Sequence, residues 1–174
     1  MAWEFELLSA LQRIHTPWLD RIMVFFTTLA NHGELWLFLA FLFLCVPRTR
    51  RLGLGMFLSI GLGFITGNLI LKNLFARSRP CWVRPEVPLL VRSPGDYSFP
   101  SGHTLVSFEG AVSIWYHDRR WGAAALAAAA VIAFSRLYLF VHFPTDVGAG
   151  LLLGIFHAWA AGQIMAFAGR ERKS

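Results

Sequence analysis

A chain of 174 residues that is 56% hydrophobic and only 15% charged falls short of the roughly one-quarter charge of a soluble domain. With a mean hydropathy of +0.52 it is not an ordinary water-soluble globule, and its long apolar stretches point to an integral membrane protein forming one domain, residues 1–174. The net charge of +6 does not argue for nucleic acid, because most cations stand in short tracts between apolar runs: Arg48, Arg50 and Arg51; Arg119 and Arg120; Arg170, Arg172 and Lys173. That is the positive-inside pattern of cytoplasmic loops.

In chain order, the opening Met1-Ala2-Trp3-Glu4-Phe5-Glu6 lacks the basic start and small-residue cleavage site of a secretory signal, so the first segment is expected to be retained. The amphipathic stretch Phe5 to Ile14 either lies at the interface or extends the first membrane helix. Apolar runs then predict helices over Trp18–Ala30, Glu34–Val46, Leu52–Phe75, Thr104–Tyr116, Trp121–Val141 and Asp146–Phe167. The expected fold is all-α, a polytopic six-helix transmembrane bundle. Runs near 13 residues are shorter than the usual ~20, which implies tilt or local thinning. Gly63 and Gly67, Gly150 and Gly154, and the small-residue run Ala123 to Ala130 mark close helix packing. With the basic tracts in the cytoplasm, six crossings place the N-terminus there too. Cys45 and Cys81 then fall at opposite membrane faces, too far apart to pair, and imply neither a disulfide framework nor a cysteine metal site.

Three polar motifs interrupt the apolar pattern, and in that topology all of them reach the outer face. In Lys72 to Pro80, Lys72 and Arg79 are seven residues apart and would share one helix face, with Pro80 holding Arg79 at the helix mouth. Arginine offers a planar fork and lysine a point charge for phosphate oxygens, although cations snorkelling at a helix end look the same. In Pro100 to His103, Ser101 is a favoured N-cap and Gly102 permits close backbone approach, so the first amides of the following helix can hold an anion. His103 in that first turn is placed to donate a proton; a plain helix cap reads equally well.

In Ser135 to Asp146, Ser135 and His142 would share a helix face, with Arg136 about 100° round. His142 and Asp146 face each other across a turn at Pro144, and a carboxylate bonded to one ring nitrogen leaves the other free to attack. A structural His–Asp pair at a loop is the alternative. His15, His32, His117 and His157 show no matched partner, and Glu109 is expected to face the bundle interior and bond Asn68 or Asn73.

The order K-x6-RP, PSGH, SR-x5-H-x3-D resembles the three signatures of the type 2 phosphatidic acid phosphatase family. Three spaced signatures over residues 72–146 are far more specific than any one alone. The resemblance implies a metal-independent lipid phosphatase with no cofactor. His142 would attack phosphorus to form a phosphohistidine, Asp146 would orient it, and His103 would protonate the leaving oxygen. Lys72, Arg79, Arg136, Ser101 and Gly102 would bind the phosphate. Its setting would be the inner (cytoplasmic) membrane, with the site on the extracytoplasmic side.

The partner is then a lipid phosphate or diphosphate in the bilayer, with undecaprenyl diphosphate favoured because an extracytoplasmic site suits recycling of a lipid carrier. Phosphatidylglycerophosphate, phosphatidate and lipid A are the alternatives. A phosphate-binding protein or transporter, or a metal site built from His103, His142 and Asp146, are rivals of other classes. Vanadium haloperoxidases share the family's cage but are soluble and much larger.

Overall fold

The computed structural model describes residues 2–171, and all its regular structure is helical. The first helix, α1 (Ala2–Gln12), is separate from the second: the chain turns at Arg13 and Ile14, runs extended at Thr16, and restarts at Pro17. Pro17 begins α2 (Pro17–Leu29), where its fixed φ suits a first helical turn and its missing N–H costs nothing.

A 3₁₀ turn, Asn31–Gly33, joins α2 to α3 (Glu34–Cys45), with His32 (φ 51°) and Gly33 (φ 74°) in the left-handed region. The bend between the two helices is only 45°. At 13 and 12 residues each is about 18–20 Å long, short of the ~30 Å apolar core.

The longest apolar element comes next. α4 (Arg50–Gly63) passes into a π-helical segment, Phe64–Leu71, and then into α5 (Lys72–Phe75), where Ala76 (φ 42°) breaks the helix. A short α6 (Pro80–Val83) lies in the polar loop. α7 (Gly102–His117), α8 (Arg119–Tyr138) and α9 (Pro144–Glu171) complete the bundle. Asp118 caps α8 by accepting from the Arg120 and Trp121 amides at 2.8 and 3.0 Å.

α7 is the central helix. Every residue from Ser107 to Ile114 is buried, and its neighbours are α3, α4, α8 and α9. Glycines allow that closeness: a methyl added at Gly150 would lie 2.7 Å from the Ser101 carbonyl oxygen, and one at Gly154 the same distance from that of Leu105. One apolar core fills the space between α3, α4, α7, α8 and α9. A second, built from Leu8, Met23, Tyr138 and the 139–143 turn, seals α1 and α2 onto the motif-bearing end.

Arg50–Val83, Arg119–Tyr138 and Pro144–Ala168 are long and apolar enough to cross a membrane, and α2 with α3 passes the same test as one bent pair. Length and composition thus give three crossings, or four with the bent pair, rather than the six expected. The polar break at Asn31-His32-Gly33 reads as a reversal in the sequence but is a 45° bend. α1 lies at the motif-bearing end, where Glu4 bonds Arg77 and Thr145, so the first residues and the motifs share one end of the bundle rather than opposite ends. Of the C-terminal basic tract, the Arg170 side chain, Arg172 and Lys173 lie outside the described residues.

Replacing Gly154 by valine should force α7 and α9 apart and cost about 1–3 kcal/mol, read as a fall in melting temperature in detergent. Gly162→Ala, with nothing within 4 Å of the added methyl, should leave it unchanged or slightly raised.

Candidate active site

The spacing of His142 and Asp146 follows from how one helix stops and the next starts. α8 ends with Phe140 in the left-handed region (φ 59°); the Phe140 amide donates to the Leu137 carbonyl at 3.0 Å and the Val141 amide to that of Arg136 at 3.3 Å. This is a Schellman turn with phenylalanine where glycine is usual; Phe140 is buried in the second core, which holds it there against the backbone cost.

α9 opens at once, with Pro144 in the first turn and Asp146 two residues later. The Asp146 carboxylate reaches back to accept from the Phe143 amide at 2.8 Å, the reciprocal half of a capping box. His142 is thus held immediately before the cap. It lies outside the helix that carries Ser135, so the expected shared face does not exist; the Ser135 hydroxyl donates to the Ile132 carbonyl within α8.

Between nucleophile candidate and carboxylate stands a residue the motifs do not include. His142 Nδ1 is 3.7 Å from Asp146 Oδ2, beyond a hydrogen bond. The Ser98 hydroxyl donates to that oxygen at 2.5 Å and lies 3.4 Å from Nδ1. The other ring nitrogen, Nε2, faces the cavity at 3.0 Å from Arg79 Nη1. A guanidinium only donates, so Nε2 accepts and the ring proton sits on Nδ1. The cavity-side nitrogen therefore carries the lone pair.

Lys72 and Arg79 also meet by a route the sequence did not suggest. The helix ends at Phe75, and Arg79 is extended (φ −79°, ψ 155°) as the cap of α6, so the two cations do not share one helix face. They converge instead on Asp96: Lys72 Nζ pairs with Oδ2, and Arg79 Nη2 with Oδ1 at 2.7 Å. Arg79 further donates to the carbonyls of Asp96 (2.6 Å), Val141 (2.8 Å) and Tyr97 (3.3 Å), which uses all five of its donors.

Arg136, buried, donates through Nη1 to the Thr27 hydroxyl, while its Nε is buried without a partner. Ser101 is buried and commits its amide to the Asp146 carbonyl at 3.0 Å, tying the start of α7 to the start of α9; its side chain makes no cap bond. Gly102 opens α7 against the cage: a methyl there would meet Asn68 Oδ1 at 3.2 Å and Lys72 Nζ at 3.9 Å. His103 Nε2 lies 3.0 Å from Asn31 Oδ1.

These groups line one cavity of about 720 Å³ that holds Lys72, Arg79, Gly102, His103, Arg136 and His142 and extends toward Ile60, Gly63 and Phe64. His142 is pushed well below its ordinary 6.5, first by burial and then by the Arg79, Arg136 and Lys72 charges. For Asp96 burial works against ionisation, but the Lys72 bond and charge and then Arg79 outweigh it and hold the carboxyl at about 2.

The metal reading of His103, His142 and Asp146 does not fit. Both Asp146 oxygens are taken, by Arg77 and by Ser98 with the Phe143 amide, and Nε2 of His142 is taken by Arg79. Among the described residues no group of three or more His, Cys, Asp or Glu side chains converges to hold a metal.

Glu109 does face the interior, but its partner is His157 Nδ1 at 2.8 Å, not an asparagine; His157 Nε2 lies 3.1 Å from the Thr66 hydroxyl. His157 therefore has partners the sequence did not show, as does His15, which pairs with Asp20 at 3.1 Å. The three motifs contain none of Thr27, Asn31, Asp96 and Ser98, and Arg77 stands in the first of them without an assigned role. The only sequence signal for Ser98 and Asp96 is their place two and four residues before Pro100.

A family profile described as the PAP2 superfamily matches residues 49–170. Undecaprenyl-diphosphatase of Sulfolobus acidocaldarius is 32% identical over 168 residues, 94% of this chain and 79% of that protein. Two solved structures have the same fold. The PAP2-type phosphatidylglycerolphosphate phosphatase of Bacillus subtilis superposes with a TM-score of 0.77 at 25% identity, covering 94% of this chain and 84% of that one. LpxE of Aquifex aeolicus gives 0.77 at 28% identity, covering 91% and 94%.

Because the depressed Asp96 carboxyl stabilises the fold only while ionised, its contribution is present above the ordinary value near 3.8 and lost as pH falls toward about 2. The melting temperature in detergent should drop on acidification between about pH 5 and pH 2, and Asp96→Asn should flatten that drop. Equal slopes in the two proteins would contradict the pairing.

Proposed function

We propose that this chain, which belongs to the PAP2 superfamily and is a lipid phosphatase, hydrolyses undecaprenyl diphosphate through a phosphohistidine on His142. The observation that carries the reading is the convergence of Lys72 and Arg79 on one carboxylate, with Arg79 also holding the Nε2 lone pair of His142 at 3.0 Å and a buried, unpaired Arg136 Nε in the same cavity. A phosphate group presents the same negative oxygens as Asp96 with a phosphorus behind them. Phosphoryl transfer asks mainly for positioning and for neutralisation of charge on the equatorial oxygens, and a cage of three fixed cations supplies both.

In this mechanism the Nε2 lone pair of His142 attacks phosphorus while the bond to the leaving oxygen breaks. His103, braced by Asn31, gives that oxygen a proton. Water then attacks the phosphohistidine, passing a proton back to His103, and the P–N bond breaks to release phosphate. Asp146 and Ser98 hold the Nδ1 side of the ring and stabilise the positive charge it gains.

The site lies at the bundle end opposite the basic tracts at Arg48–Arg51 and Arg119–Arg120, which supports an extracytoplasmic site in the cytoplasmic membrane. With the bent α2–α3 pair as one crossing and α7 as another, five crossings place the N-terminus on the site's side. The cavity's extension toward Ile60 and Phe64 suits the first units of a hydrocarbon tail. The similarity to an undecaprenyl-diphosphatase along 94% of the chain favours a polyprenyl substrate; phosphatidylglycerophosphate, phosphatidate and lipid A remain the other substrates to compare.

A phosphate-release panel over these four lipids in detergent tests the substrate. Polyprenyl diphosphate should exceed the rest by at least tenfold in kcat/KM, about 1.4 kcal/mol of transition-state stabilisation, and a preference for another lipid overturns the assignment. His142→Ala should lower turnover by at least about a thousandfold, whereas unchanged turnover would sink the phosphohistidine. Arg136→Lys keeps the charge but loses the fork and should cost on the order of a hundredfold in kcat. Since His142 stays neutral well below 6.5, kcat/KM should show no acid limb near that value.

A further inference from the structure

We infer that α1 is part of the catalytic apparatus: through Glu4 and Arg77 it sets the orientation of Asp146, and through Asp146 that of His142. The inference rests on the reading of His142 as nucleophile and goes beyond it by naming two positioning residues, Glu4 outside the three motifs and Arg77 at an unassigned position within the first.

Asp146 is fully buried, and its two oxygens have different partners. Oδ2 accepts from the Ser98 hydroxyl, on the loop before α7, and from the Phe143 amide, in the turn that carries His142. Oδ1 is held by Arg77 Nη1 at 2.5 Å, which also donates to the Thr145 hydroxyl at 2.6 Å. Without Arg77 the carboxylate keeps contacts on one side only and is free to rotate away from Nδ1. A buried carboxylate left without its cation also carries a desolvation cost that favours such a movement.

Arg77 is fixed in turn by α1. Its Nη2 donates to Glu4 Oε2 at 2.7 Å, and Glu4 Oε1 accepts from the Thr145 hydroxyl at 2.7 Å. Glu4 is only 3% exposed, although it sits on an N-terminal helix with no sequence reason to bury an acid. The guanidinium is stacked 4.2 Å over the Phe143 ring, next to His142 in the chain. One guanidinium thus spans two buried carboxylates, one on α1 and one at the start of α9. Burying Glu4 costs free energy that folding alone does not require, since Leu8 and Phe5 already seal α1 to the second core. The geometry accounts for that cost as the fixing of Arg77.

The test compares Glu4→Gln, Arg77→Lys and Arg77→Ala with Met56→Ala, which removes a buried side chain from the first core without touching α1 or the polar chain. Phosphate release and melting temperature are measured in the full-length protein in detergent. Glu4→Gln and Arg77→Ala should lower kcat on the order of a hundredfold with KM within about threefold, since the phosphate cage is untouched. Arg77→Lys should restore part of the loss, and the double variant Glu4→Gln/Arg77→Ala should lose little more than Arg77→Ala. Met56→Ala should lower the melting temperature while keeping kcat within about threefold. Equal losses of kcat from Met56→Ala and Glu4→Gln at matched melting temperature, or kcat retained in Arg77→Ala, would overturn the inference. Turnover retained in His142→Ala would instead overturn the phosphohistidine reading itself.

Discussion

Three cations, Lys72, Arg79 and Arg136, are buried beside one another at the end of an apolar bundle, and the rest of the structure is organised by the need to keep them there. Like charges in a low-dielectric setting repel strongly and lose their hydration, so such a cluster forms only where fixed acceptors answer it. Here Asp96 answers Lys72 and Arg79, backbone carbonyls of Tyr97, Val141 and Asp96 with His142 Nε2 take the remaining Arg79 donors, and Thr27 takes Arg136. In the proposed function, the same deficit of negative charge is what a phosphate ester would fill. The site is poised because its cations are satisfied in part by a carboxylate on a loop whose side chain is still 55% exposed.

That cluster needs a rigid support, and the helix ends supply it. His142 is fixed between a Schellman turn closing α8 and a proline-started, aspartate-capped α9. Arg79 caps α6 and His103 stands in the first turn of α7. These three side chains thus sit where the backbone changes direction. α7 holds the halves together, because Gly150 and Gly154 let α9 lie against its backbone. Deeper in the bundle, Glu109, His157 and Thr66 satisfy one another in a polar contact, and Glu109 lines the inner part of the same cavity.

Much of the fold was legible in local pattern. Apolar runs located α2, α3, α7 and α9 to within a few residues, and the PSGH and SR-x5-H-x3-D motifs named groups that do line one cavity. What misled was periodicity carried through helix breaks. Seven-residue spacing suggested a shared face for Lys72 with Arg79 and for Ser135 with His142, yet Ala76 and Phe140 take left-handed backbone between them. Neither is glycine, so the breaks leave no composition signal. The π segment before Lys72 shifts its register in a way hydrophobicity does not report, because lipid-facing residues there are apolar all round.

The sequence by itself determined the class, an all-helical membrane protein, and the chemical inventory of a phosphate site, because helix formation, membrane burial and turn capping depend on residues close in the chain. Tertiary structure alone decided which groups meet. Glu4 reaches Arg77 across 73 positions and Thr145 across 141, Thr27 reaches Arg136 across 109, and His103 reaches Asn31 across 72. It also decided that α2 and α3 run on through a 45° bend, which brings the N-terminal helix to the motif-bearing end. Such pairings follow from the packing of whole helices and the need to neutralise buried charge, and no window along the chain contains both partners.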